Sequence, residues 1–157
     1  MPDVSRGRSL VAIDSSNWRD ALAIQVQPDR LPFVASIEPV ALILLAKAAV
    51  NPDGQTWHPL LLLADGVPVG IVGVGVLGDV AWVHHVLISA EFQGQGHGRA
   101  LMKLVAAWVP ASVTRLGLNV VPANVVGWAL YESLGFVTVG VTLDGQNITM
   151  AYVGEVA

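Results

Sequence analysis

One stretch of this chain changes its hydrophobic period, and that change fixes much of what it can fold into. Residues 80–89 are dominated by apolar residues, as a half-buried strand would be. Gln93-Gly94-Gln95-Gly96-His97-Gly98-Arg99 then interposes three alternating glycines. After them Leu101, Leu104, Val105 and Trp108 recur at helical spacing, predicting a helix over 98–109 stopped by Pro110. Strand, glycine loop and helix in that order gather backbone N–H groups at a helix start. Orphan donors and the helix dipole there favour an anion.

The rest of the chain gives such a unit a sheet to sit in. Residues 9–13 read as a strand, and Ser15 or Ser16 as the cap of a short helix reaching about 23. A second helix is expected over 36–50, with Pro39 in its first turn. Strands at 59–64 and 67–77 flank the Asp65-Gly66 turn, and 80–89 adds a third strand of a meander. Residues 113–121 are a strand and 124–134 a helix with Asn124 as N-cap. Residues 136–143 and 148–153 form a closing hairpin. The order predicts one domain over 1–157 of class α/β (α+β). Its sheet of about seven strands is mixed but mostly antiparallel, with four flanking helices.

Composition removes several alternatives. Formal net charge is −4 with no basic patch, which argues against a nucleic-acid partner. With no cysteine there is no thiolate nucleophile, disulfide or thiolate metal site. Apolar residues make up 54% of the chain, yet the longest apolar runs, 39–46 and 67–78, fall short of the roughly 18 residues a membrane span needs. The apolar excess points instead to an interior sheet and a homodimer interface. The first residues lack the apolar run of a secretory signal, so the expected compartment is the cytoplasm.

Phosphate-binding glycine loops are of several kinds. The Gly-Lys-Ser/Thr of a P-loop is missing, and no acid lies between Glu91 and Glu132 to serve a dinucleotide ribose. A turn that merely joins strand to helix is the plain alternative. Gln93, Gly96 and Gly98 satisfy a Gln/Arg-x-x-Gly-x-Gly/Ala pattern. A second block follows, with Asn124, Tyr131 seven residues later, then Glu132 and Gly135-Phe136. The two blocks together resemble the GCN5-related N-acetyltransferase (GNAT) superfamily. Asn17-Trp18, Pro28-Asp29 and Phe33-Val34-Ala35-Ser36 resemble its bacterial spermine/spermidine branch. That branch's Arg and Asp before the loop are replaced here by His85 and Ser89, which puts a polyamine acceptor in doubt.

The resemblance implies the GNAT fold and an N-acetyltransferase that moves an acetyl group from acetyl-coenzyme A to a primary amine by direct attack. The acceptor it suggests is a small polyamine-like or arylalkylamine-like molecule. Alternatives are a peptide or protein N-terminal acetyltransferase, or a non-catalytic acyl-coenzyme A module. It implies that Val86, Leu87 and Ile88, the loop residues Gln93, Gly94, Gln95, Gly96, His97, Gly98 and Arg99, and Asn124 and Tyr131 contact the cofactor. Tyr131 would protonate the departing thiolate and His84 would relay the amine proton. Trp82, His84 and Glu38 would line the acceptor pocket. Strand alternation would set Trp82, His84, Val86 and Ile88 on one face, with Val83, His85 and Leu87 on the other. Adjacent histidines on opposite faces would not share a metal, so no metal site is expected.

Overall fold

The computed structural model describes residues 6–25 and 39–154. Seven strands form one sheet in the order β1-β2-β3-β4-β5-β7-β6. They are β1 (Arg8–Ala12), β2 (Thr56–Ala64), β3 (Val67–Leu77), β4 (Val80–Ile88), β5 (Arg115–Val120), β6 (Phe136–Val141) and β7 (Ile148–Tyr152). Four α-helices are described: α1 (Trp18–Leu22), α2 (Val40–Val50), α3 (His97–Trp108) and α4 (Val125–Ser133). The mixed, mostly antiparallel sheet with four helices is the expected architecture.

Among the described strands only β4 and β5 pair in parallel, because α3 carries the chain across between them. Their pairing runs from Val80↔Arg115 to Val83↔Leu118 and stops. β4 nevertheless continues to Ile88 and β5 to Val120, so the two strands splay and open a notch.

Two apolar cores lie on opposite faces. On one, Leu60, Leu62, Val72, Val74, Ala81 and Val83 pack with Leu101, Met102 and Val105 of α3 and with Tyr131 of α4. On the other, Leu61, Ile71 and Leu87 pack with Ala21 of α1 and with Val40, Ala41 and Leu44 of α2. Burying side chains of this size contributes roughly 1.5–3 kcal/mol each, so both helix layers are held on by the sheet.

Local differences from the expected boundaries have simple causes. Neither Ser15 nor Ser16 caps α1; the Asp14 carboxylate takes the Ser16 amide at 2.8 Å and its hydroxyl at 2.6 Å, and Asn17 stands at the N-cap position. Pro39 stands at the N-cap of α2 rather than inside it, in extended backbone (ψ 140°). The expected start of that helix at Ser36 lies outside the described residues, as do Glu38, Pro28-Asp29 and Phe33–Ser36. Asn124 caps α4 as expected, its Oδ1 accepting the Gly127 amide at 3.1 Å.

Candidate active site

A bulge in β4 decides which side chains face which layer. Gly73 pairs with His84 and Ile71 with Leu87, so β4 spends one more residue than β3 over the same span. His85 takes a left-handed backbone there, φ 54°. The extra residue reverses the alternation. Val86 and Ile88 therefore join the layer of Ala81 and Val83, against α3 and α4, while Leu87 turns to α2. The expectation of Val86 and Ile88 sharing a face with His84 is thus corrected. The premise that His84 and His85 point apart also fails: both line one cavity, with ring centroids 6.3 Å apart. Among the described residues no group of three or more His, Asp or Glu gathers around them.

Beyond the bulge the chain makes a 3₁₀ turn (Ala90–Phe92) and enters the glycine loop. Gly94 and Gly96 adopt φ 76° and 81°, and a Cβ on Gly94 would meet nothing within 4 Å. Gly96 is the N-cap of α3, and among the described residues no side chain caps that helix. The Ala100 amide is the first to bond back, to the Gly96 carbonyl at 3.1 Å, leaving the amides of His97, Gly98 and Arg99 ahead of it. Such a start suits an anion. Gly98 packs closely on α4, where a Cβ would stand 3.4 Å from Leu130 Cδ2.

The loop is pinned from two sides. Gln93 Nε2 donates to the Ile88 carbonyl at 3.2 Å. Arg8 on β1 donates through Nε to His97 Nδ1 and through Nη2 to the Gln95 carbonyl, both at 3.0 Å. His97 is therefore a buried anchor rather than an exposed loop residue, and burial and Arg8 hold its pKa below the ordinary histidine value. Arg99 reaches across to Ser133 Oγ on α4 at 2.8 Å.

A cleft of about 430 Å³ runs along this loop. Val86, Leu87, Ile88, Gln93, Gly94, Gly96, His97, Gly98, Arg99, Asn124 and Tyr131 all line it. Gln95 does not, its carbonyl being turned to Arg8. Phe92, Val126 and Leu130 line it too, without a signal of their own in the sequence beyond neighbouring the motifs.

A second cavity, of about 180 Å³, fills the notch between the splayed strands. His84, His85 and Val86 form one wall, and Leu118, Asn119, Val120 and Val121 the other. Asn147 of the last hairpin, Asn124 and Tyr131 complete it. Val86, Asn124 and Tyr131 belong to both cavities.

The Tyr131 ring lies edge-on to Phe136, centroids 6.0 Å apart, and burial pushes its hydroxyl up to about 12. It therefore stays protonated at neutral pH. His84 stacks on Trp57 at 4.3 Å, and its Nε2 has no hydrogen-bond partner among the described residues. Burial, with the Lys47 ammonium and His85 nearby, pushes its pKa down to about 3, so its imidazole is neutral. Trp82 shares the face of His84 but lines neither cavity. Its ring lies over Gly117 of β5, where a Cβ would come within 2.9 Å. Lys47 and Trp57 were not singled out from sequence. Lys47 is the one charged residue in α2, and that isolation was the available signal.

The sequence matches the model of the acetyltransferase (GNAT) family over residues 18–136. The chain belongs to this family. Among curated relatives, the ribosomal protein bS18-alanine N-acetyltransferase of Escherichia coli strain K12 is 31% identical over 91 residues. The match spans 57% of this chain and 62% of that relative's length. Among solved structures, an acetyltransferase from Thermus thermophilus superposes with a TM-score of 0.73 at 19% identity. That alignment covers 92% of this chain and 95% of the other. The spermidine N-acetyltransferase of Vibrio cholerae, solved with coenzyme A and spermine, gives 0.72 at 16% identity, covering 94% and 95%. At these identities the structures share a fold with this GNAT chain. Among the described residues no helix is long and apolar enough to cross a membrane.

Proposed function

We propose that this GNAT enzyme acetylates a primary amine that enters the notch between β4 and β5 and meets acetyl-coenzyme A at Val86, Asn124 and Tyr131. The observation that carries the reading is the junction itself: one cavity lies along the glycine loop, the other in the notch, and three residues are common to both. The glycine cradle fits the co-substrate, since Gly94 leaves open space and α3 starts with uncapped amides. The amides of 97–99, the Arg99 guanidinium and Gln93 hold its diphosphate, and Asn124 and the β4 backbone its pantetheine arm.

Transfer joins the amine nitrogen to the acetyl carbon and releases the coenzyme A thiol. The chain contributes geometry first, by fixing both reactants at one junction. The Val86 backbone N–H polarises the acetyl carbonyl. His84 Nε2, neutral and unpartnered among the described residues, takes the ammonium proton directly or through water. The buried Tyr131 hydroxyl supplies a proton to the departing sulfur.

The acceptor is a small amine with an uncharged or aromatic remainder rather than a polycation. Supporting this, the notch is lined by histidine, asparagine, tyrosine and aliphatic residues, and no carboxylate lines it among the described residues. A second reading, an N-terminal protein amine, is favoured by the likeness to the bS18-alanine enzyme. Free-thiol release from acetyl-coenzyme A separates them, using phenethylamine, spermidine and an alanine-initiated peptide as acceptors. Turnover with phenethylamine above both others supports the first reading; preference for spermidine removes it.

The protein acts as a homodimer through β6. That edge strand exposes Val137, Val139 and Val141, with Leu143 and Val153 beside it. Scattering mass of wild type against Val139→Lys tests this, a monomeric wild type refuting it.

A further inference from the structure

Two imidazoles line the acceptor cavity, and their surroundings differ. Lys47 Nζ, from α2, lies 3.1 Å from His85 Nε2. The same ammonium sits 4.4 Å over the ring of Trp57, which also stacks on His84. An ammonium has only donors, so Nε2 of His85 must accept and its ring proton must reside on Nδ1. His85 so held has its nitrogen lone pair engaged and cannot offer it to an amine. His84 Nε2, by contrast, is buried and unpartnered among the described residues.

We infer that Lys47 is a positioning residue of the acceptor cavity: by donating to His85 Nε2 it fixes that imidazole as a hydrogen-bond donor and leaves proton acceptance to His84. This rests, for its catalytic meaning, on the reading of His84 as the base. The left-handed backbone of His85 supports it, because the bulge brings two consecutive histidines to one cavity where strict alternation would separate them. Each then needs a distinct role, and the cation on α2 distinguishes them.

The described groups facing the pair are few. Lys47 comes from α2, and Tyr131 faces the cavity from α4. Asp53, in the turn after α2, acts on Lys47. Uncharged Trp57, Asn119 and Asn147 face it from β2, β5 and the last hairpin. Removing the Lys47 charge therefore leaves none of these groups as a cation beside His84, and the His84 pKa should rise.

The test uses the full chain with nitrogen-15 in its histidines, as wild type, Lys47→Met and Lys47→Arg. Imidazole nitrogen spectra of the wild type should show His85 protonated on Nδ1 and bare on Nε2. Lys47→Met should lose that preference and move the acid limb of kcat/KM upward by about one pH unit. Lys47→Arg, which keeps a donor, should retain both. Unchanged His85 signals in Lys47→Met, or a wild-type His85 protonated on Nε2, would overturn the role of Lys47. A changed tautomer with an unmoved acid limb, together with full turnover in His84→Ala, would instead sink His84 as the base and leave the Lys47–His85 bond standing.

Discussion

Gly127 and Asn124 exclude any larger partner for each other: a Cβ on Gly127 would stand 2.5 Å from Asn124 Nδ2 and 2.9 Å from its Cγ. A methyl group at 127 therefore has no room beside the cap as it stands. Replacing a helical glycine by alanine ordinarily gains up to about 1 kcal/mol. Here Gly127→Ala should displace the cap, cancel that gain and raise KM for acetyl-coenzyme A several-fold. Thermal melts and steady-state kinetics of the single variant check both.

Tyr131→Phe removes the hydroxyl from the junction and leaves the ring against Phe136 in place. Turnover should fall by roughly 10²-fold, the ordinary size of a general-acid contribution, with acetyl-coenzyme A affinity within about twofold by calorimetry. Because burial pushes the hydroxyl up to about 12, the wild-type rate should show no alkaline loss attributable to Tyr131 below about pH 10. Equal turnover of wild type and variant would remove its role as acid.

His84 makes the fold sensitive to acid. Its folded pKa of about 3 lies below the ordinary 6.5, so the unfolded chain binds the proton more readily. Stability from this group is complete above 6.5 and declines as pH falls toward 3, at up to about 1.4 kcal/mol per unit. His84→Gln should flatten that part of a denaturation series between about pH 6.5 and 4. An equally steep variant would refute the assignment.

Arg8 ties β1 to the glycine loop through His97 and the Gln95 carbonyl. Arg8→Ala should loosen the amides at the start of α3 and weaken acetyl-coenzyme A binding by roughly tenfold, about 1.4 kcal/mol, with the acceptor KM unchanged. Calorimetry and kinetics separate the two effects.

Periodicity and the glycine and asparagine signals carried most of the elements, because strands, turns and caps are local. The Asn124 cap and the helix after Gly96 are cases in point. What could not be read was non-local. The β4 bulge depends on the register against Gly73 and Ile71, and no residue pattern announces it. The anchoring of His97 requires Arg8, 89 positions away. Trp82 looked like a pocket wall, but Gly117 on the neighbouring strand gives its ring a different seat.

The one-residue insertion in β4 lets a single strand serve both layers of the molecule. His84 looks toward Trp57 and α2, while Val86, two positions on, packs in the layer of α3 and α4. Excising His85 would restore simple alternation and rotate everything downstream by half a turn. The glycine loop would then emerge toward the wrong helix layer. A deletion of this kind should abolish acetyl-coenzyme A binding outright, although it touches no residue of the loop.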